Sequence, residues 1–215
     1  MARIGALAVL LESIMFYDEF NRAGIDRASM TAQYHNGGFA RIGDDVHIGQ
    51  NVEIRRPHLV RIGTHVAIDN GGYITTAAEI GDYVHIGPYV TVIGGEHALL
   101  IMGNFTNLAA GCRVICGTDR FMGEGLIGPA SLPSEYKDKM KLAPVVLENF
   151  ANVGTNAVIM PGVTLAEGSV VGACSLVTKN TEPWTIYTGV PAQARKLRPR
   201  ETMVQFAKEL GYLSA

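Results

Sequence analysis

The sequence predicts an all-β protein, a three-sided coil of short parallel strands, on three observations. An aliphatic residue recurs every six positions from residue 42 onward, a small residue follows four places behind it, and the count breaks in only a few places. The aliphatic anchors are Ile42, Ile48, Ile54; Ile62, Ile68, Ile74; Ile80, Ile86, Val92; Met102, Leu108, Val114; Leu147, Val153, Ile159; Leu165, Val171 and Val177. Four positions after each of these 18 anchors, 15 residues are Val, Ala, Ser, Thr or Cys; the exceptions are His58, Gly72 and Glu96. A helix repeats its apolar face at about 3.6 residues and a flat strand at 2, so neither gives a lasting six. One hexad makes a strand and a turn, three hexads make a circuit, and circuits stack as parallel strands about 4.8 Å apart. The anchors fill the narrow interior, with the smaller residue beside the corner. Cys112 falls on that interior column and reads as core. Glycine after the anchor is expected to serve corners that need unusual backbone angles.

The elements follow in order. Residues 1–40 read as an N-terminal helix and linker. Ala2 to Ala23 forms an amphipathic helix whose apolar run is interrupted by Glu12 and Ser13 and which ends at Asn21 and Gly24. The run is too short to cross a membrane, and no small-residue cleavage site follows it. A signal peptide is the weaker reading, and a natural start at Met15 stays open. The coil occupies 41–182, about six circuits. Ile54 to Ile62 carries two extra residues near Arg56-Pro57, and Val92 to Met102 carries four around Gly94 to His97. A long excursion, 118–144, leaves the prism between Val114 and Leu147. Long excursions from compact scaffolds are usually functional. Residues 183–215 form a C-terminal segment, with Glu201 to Leu210 as a helix capping the unpaired edge.

Composition narrows the function. With 18 Lys plus Arg against 20 Asp plus Glu, the net charge is -2, which leaves no broad basic field for nucleic acid. Only 18% of residues are charged, below the roughly 25% of an average soluble chain, which points to surface buried against other subunits. The three cysteines, Cys112, Cys116 and Cys174, form no Cys-x-x-Cys pair and fit a reducing cytoplasm.

The stretches Val153-Gly-Thr-Asn-Ala-Val-Ile-Met-Pro-Gly162, Val170 to Lys179 and Gly189-Val-Pro-Ala192 resemble the hexapeptide-repeat acyltransferases, over about residues 40 to 200. The long loop with Pro129 and Leu132-Pro-Ser-Glu-Tyr136, and Trp184 to Tyr187, are most similar to enzymes of bacterial surface-polysaccharide (O-antigen or capsule) biosynthesis, such as perosamine N-acetyltransferase. The resemblance implies a left-handed parallel β-helix, acetyl-CoA as co-substrate, no metal, a nucleotide-linked amino sugar as acceptor, and a homotrimer with sites between subunits. One departure matters: relatives of the galactoside and serine type carry a catalytic histidine in or near the excursion, and here Asp119 to Leu142 contains none.

Acyl transfer from a thioester needs a group to take a proton from the nucleophile, a task that suits histidine. His47 and His85 share one outward column, His47, Ala67, His85, Asn107, Asn152, Val170. Asp69 is the lone acid of the adjoining small-residue column, one circuit before His85, so His85 with Asp69 as orienting carboxylate is the leading catalytic pair. His97, in the Gly94-Gly95 bulge, is the second candidate and a possible acceptor contact, with Asn107 and Asp119. His35 and His58 lie in the linker and a bulge. Asn107 and Asn152 read equally as corner-ladder residues. Along the C-terminal circuits, where the family places its coenzyme, Asn152, Gly154, Gly172 and Ala173 offer hydrogen bonds, Thr178, Lys179, Arg195 and Lys196 offer charge, and Pro191 belongs to the terminal motif. Arg198 and Arg200 read evenly as phosphate contacts or solvated charges. Three other readings stay open: transfer to a sugar hydroxyl, a non-catalytic scaffold, and a zinc carbonic anhydrase, the last short of a third histidine.

Overall fold

The structure, a computed structural model, describes residues 38–129 and 131–212. The expected N-terminal helix, His35 and the question of Met15 lie outside the described residues.

Three sheets form the sides of a prism, parallel throughout except for Gln193–Leu197, which closes face two antiparallel to Thr185–Thr188. Face one stacks Arg41–Ile42, Val60–Ile62, Ala77–Ile80, Leu99–Met102, Val145–Leu147 and Thr164–Leu165. Face two stacks Val46–Ile48, Val66–Ile68, His85–Ile86, Asn107–Leu108, Asn152–Val153, Val170–Val171 and Thr185–Thr188. Face three stacks Glu53–Ile54, Tyr73–Ile74, Thr91–Ile93, Arg113–Ile115, Val158–Ile159 and Leu176–Val177. Every anchor pairs in register with the anchor one circuit away: Ile62 with Ile80, Ile86 with Leu108, Ile159 with Val177. Six full circuits and part of a seventh result. All 18 anchors except Ile42, in the first strand, are buried, and burying each stabilises the fold by roughly 1.5–3 kcal/mol.

The corners are built differently from the sequence expectation. The glycines after the anchors are required by clearance, since a Cβ on Gly49 would lie 2.7 Å from the amide nitrogen of Asn70 and one on Gly154 would lie 2.6 Å from that of Ala173. The left-handed backbone falls three residues after the anchor. At the corner between faces one and two it is taken by Asp45, His65, Tyr83, Phe105, Phe150 and Gly168, and at the corner between faces two and three by Asn51, Gly71, Tyr89, Gly111, Asn156 and Cys174, with φ from 53° to 73°.

Side chains at the first of these corners stack into a column. Ring centroids lie 4.6 Å apart for His65–Tyr83, 5.2 Å for Tyr83–Phe105 and for Phe105–Phe150, and 5.7 Å for Phe150–Trp184. Gly168 leaves the sixth level empty, and the indole of Trp184 fills it. The helix Glu201–Glu209, against the Glu201 to Leu210 expected, runs beside this column, and Tyr212 meets Tyr83 and Phe105 edge-on. Arg198 is no solvated charge. Its guanidinium donates to the carbonyls of Phe150 and Gly168 and contacts Met203 Sδ, and burial pulls its pKa down. The terminal motif Gly189 to Ala192, with a cis Val190–Pro191 bond, covers the last strand of face three: Leu176 donates to Gly189 O and Ala192 donates to Leu176 O.

Candidate active site

The corner between faces two and three gathers most of the chemistry. His85 projects outward from face two, and Asp69 sits one circuit below at the corner. His85 Nε2 lies 2.9 Å from Asp69 Oδ2, with the imidazole 53% and the carboxylate 36% exposed. Nδ1 is thereby left for a reacting group. Asn107 pairs in register with His85 on the next circuit, and its side-chain amide makes no hydrogen bond among the described residues. Asn152, one circuit further, turns its Nδ2 to Phe150 O at 2.7 Å and so braces the opposite corner.

Above the His85–Asp69 pair the same corner runs short of acceptors. At the corner between faces one and two, side-chain oxygens collect the outward amides: Thr64 N–H donates to Asp82 Oδ1, Asp82 N–H to Asn104 Oδ1, and Asn104 N–H to Asn149 Oδ1. The equivalent residues at the corner between faces two and three are Gln50, Asn70, Pro88, Ala110, Thr155 and Ala173. Gln50 N–H finds Asn70 Oδ1, and there the ladder stops. The N–H groups of Ala110, Thr155 and Ala173, on three consecutive circuits, have no acceptor among the described residues. The amides of Gly154 and Gly172, expected to serve a ligand, instead donate to Val171 O and Tyr187 O inside the coil. Their part is to keep the corner bare. At the top, Arg195 Nε donates to Thr188 Oγ1, and a Cβ on Gly189 would lie 3.5 Å from its guanidinium.

The other expected residues lie elsewhere. His97 is 79% exposed beside Glu96, whose carboxylate also pairs with Arg56, at the corner between faces three and one. The excursion leaves from this corner as the hairpin Gly117–Asp119 with Met140–Leu142. Asp119 faces Met140 there, half-buried, and its carboxylate is unpaired among the described residues. Buried Asp138 fixes the hairpin base by accepting the N–H groups of Phe121 and Lys139. Thr178 and Lys179 are exposed beyond the last strand of face three, Pro191 is exposed on the covering turn, and Lys196 lies opposite Ile186 on face two. One protomer thus keeps two groups apart: Asp69, His85, Asn107, Ala173 and Arg195 at one corner, His97 and Asp119 at another. His65, not weighed from the sequence, forms a second imidazole–carboxylate pair with Asp45 at 2.9 Å, at the third corner.

A shallow groove of about 370 Å³ on face one, lined by Ile101, Val146, Glu148, Asn149 and Glu167, contains none of these groups. Among the described residues no cluster of three His, Cys, Asp or Glu converges on a metal position, and no helix there is long and apolar enough to cross a membrane.

Residues 40–76 and 144–179 match the hexapeptide repeat of succinyl-transferase. AntD, an N-acyltransferase from Bacillus cereus solved with dTDP and 3-hydroxybutyryl-CoA, is 33% identical with a TM-score of 0.75, over 81% of this chain and 91% of that one. The chain belongs to the hexapeptide-repeat acyltransferases. The dTDP-4-amino-4,6-dideoxy-D-glucose acyltransferase of Escherichia coli is 25% identical over 169 residues, 77% of this acyltransferase and 86% of that protein. The galactoside O-acetyltransferase of Escherichia coli K12 is 26% identical over 160 residues, 74% and 68% of the two chains. The sequence could have disclosed the amide row, because its column swaps Asp and Asn for Pro, Ala and Thr. Nothing in the sequence distinguished the occupied amides of Gly154 and Gly172 from free ones.

Proposed function

We propose that this enzyme transfers an acyl group from coenzyme A to the amino group of a nucleotide-linked amino sugar in the cytoplasm, serving O-antigen or capsule synthesis. The observation that carries the reading is the row of unpartnered amides above the His85–Asp69 pair. From the circuit of His85 to that of Arg195 is four steps, about 19 Å at the strand spacing. An extended pantetheine arm, with its amide carbonyls, matches such a row. Its phosphates fall near Arg195 and Lys196 and its thioester near His85. The relatives support the acceptor: AntD has also been solved with dTDP-4-amino-4,6-dideoxyglucose and coenzyme A.

In this reading the sugar amine attacks the thioester carbonyl directly. The nitrogen–carbon bond forms, and His85 Nδ1 takes the proton released from nitrogen while Asp69 holds the ring through Nε2. The tetrahedral intermediate collapses, the carbon–sulfur bond breaks, and the thiolate leaves to be protonated. Asn107 contacts the acceptor from the next circuit.

The site is completed by a second subunit. Face three carries Ile93, Ile115, Val158, Met160 and Leu176 half-exposed on its outer side. Packing that face on a threefold axis brings the corner bearing His85 against the neighbour's corner bearing His97, Asp119, Thr178 and Lys179. In this reading the enzyme is a homotrimer.

Thiol release from acetyl-CoA and 3-hydroxybutyryl-CoA, measured against dTDP- and GDP-linked 4-amino sugars and their 4-hydroxy counterparts, tests the reaction. Release with the amino sugars alone is expected. Release with the hydroxy sugars alone would replace the reading with O-acylation.

A further inference from the structure

Tyr89 occupies the same corner as the His85–Asp69 pair, on the side toward face three. It is 67% exposed. Its backbone is left-handed at φ 58°, a region where a bulky residue is uncommon. Neighbouring positions in its column, Gly71 and Gly111, are glycine in the same left-handed region, at φ 73° and 68°. The ring packs against Gly71 through its Cδ1–Cε1 edge, where an added Cβ would come within 2.6 Å of Cδ1 and 2.7 Å of Cε1. Gly71 is two residues from Asp69, so their Cα atoms lie within about 7 Å of each other. Arg113 on the next circuit pins this backbone, its guanidinium donating to Tyr89 O at 2.9 Å and to Gly111 O at 2.6 Å. Arg113 has no carboxylate partner among the described residues. An aromatic ring, two-thirds exposed, is thus packed by one edge on glycine at the corner that carries the base, at the thioester end of the amide row.

We infer that Tyr89 is the platform on which the acceptor's hexose ring lies, and that it selects for 6-deoxy sugars. The inference rests on the proposed transfer to a nucleotide-linked amino sugar. The reacting nitrogen is bonded to the hexose, so the hexose, rather than the distant nucleobase, is what comes within reach of a ring this close to His85. An aromatic face attracts the apolar C–H face of a sugar, and a 6-methyl enlarges that face where a 6-hydroxymethyl interrupts it. Arg113, hydrogen-bonded to the Tyr89 carbonyl, supplies a cation beside the ring for the diphosphate attached to the hexose.

The test is steady-state kinetics of Tyr89→Phe, Tyr89→Leu and Tyr89→Ala with a dTDP-4-amino-4,6-dideoxyhexose and its 6-hydroxy analogue. Tyr89→Phe keeps the ring and is expected to match the parent. Tyr89→Leu, which still covers Gly71, and Tyr89→Ala are expected to raise KM for the 6-deoxy acceptor about tenfold, with the KM for acyl-CoA unchanged and kcat within about threefold. The preference for the 6-deoxy over the 6-hydroxy sugar should fall by a similar factor. A parent enzyme that transfers acyl groups to amino sugars, with Leu and Ala variants of unchanged acceptor KM, overturns the platform and leaves the reaction standing. A parent enzyme inactive on every amino sugar overturns both.

Discussion

His85 Nε2 and Asp69 Oδ2 meet at 2.9 Å although 16 residues separate them, because each lies one step from an anchor on consecutive circuits. Ile68 pairs with Ile86 in the wall, so Asp69 and His85 are carried to adjoining positions outside it. The imidazole is oriented by the same repeat that builds the core, and its other nitrogen makes no hydrogen bond among the described residues. His85→Ala is expected to lower kcat by about two to four orders of magnitude, the usual range for a general base. Asp69→Asn should lower kcat by about 10–100-fold, the scale of losing an orienting partner, with acyl-CoA KM unchanged. The double variant should be no slower than His85→Ala, because Asp69 acts through His85. Additive losses in kcat would give Asp69 a separate task.

If the proposed trimer shares its site between the His85 corner of one subunit and the Asp119 corner of the next, the site can be rebuilt from two defective chains. His85→Ala and Asp119→Ala protomers are each expected to form inactive trimers. Mixed and reassembled, some interfaces pair an intact His85 corner with an intact Asp119 corner. Activity should return to about a fifth to a quarter of the parent, as random assembly of equal parts predicts. Light scattering of the mixture should give the mass of three chains. Trimers that stay inactive on mixing would place Asp119 and His85 in one protomer's site, or remove Asp119 from it.

The coil was legible because its signal is a period. Six-residue spacing survives changes among Ile, Val, Leu and Met, and every anchor from Ile42 to Val177 falls in the expected wall. The His85–Asp69 contact was legible for the same reason. The aromatic column was not, because His65, Tyr83, Phe105 and Phe150 share a backbone angle rather than a residue type. That His97 and Asp119 lie at another corner than His85 was hidden as well, since the sequence orders them along the chain without saying which way the excursion leaves. Charge near the C-terminus was only partly legible: Arg195 read as a coenzyme contact and Arg198 evenly as contact or solvated charge, yet Arg198 staples the cap while Arg195 borders the open corner.

Gly168 tests the column directly. A methyl there would come within 2.3 Å of the Trp184 ring, at a backbone angle of φ 65° that favours glycine. Gly168→Ala is expected to lower unfolding free energy by about 1–3 kcal/mol through strain and a displaced indole. Trp184 is the one tryptophan, so its emission should shift to the red with the ring more exposed. A variant with unchanged melting and unchanged emission would mean that the ring and the glycine are not in contact.

Cys116 supplies the pH dependence. It is buried where the excursion leaves, and burial pushes its thiol from 9.0 up to about 12, opposed only by a hydrogen bond from Val145. A folded pKa raised above the unfolded one means that the folded state holds its proton longer. The stabilisation is therefore complete below pH 9 and is lost as pH rises from there toward 12. Within that window the unfolded chain has released the proton and the folded chain has not, so unfolding free energy falls by about 1.4 kcal/mol for each pH unit from this group alone. Denaturant unfolding of the parent and of Cys116→Ala, at steps between pH 8 and 10.5, isolates it from other alkaline groups. The difference between the two proteins should be flat up to about pH 8.5 and then shrink at nearly that slope. Parallel curves throughout would show that the thiol ionises as readily folded as unfolded, and that the wall behind the excursion admits water.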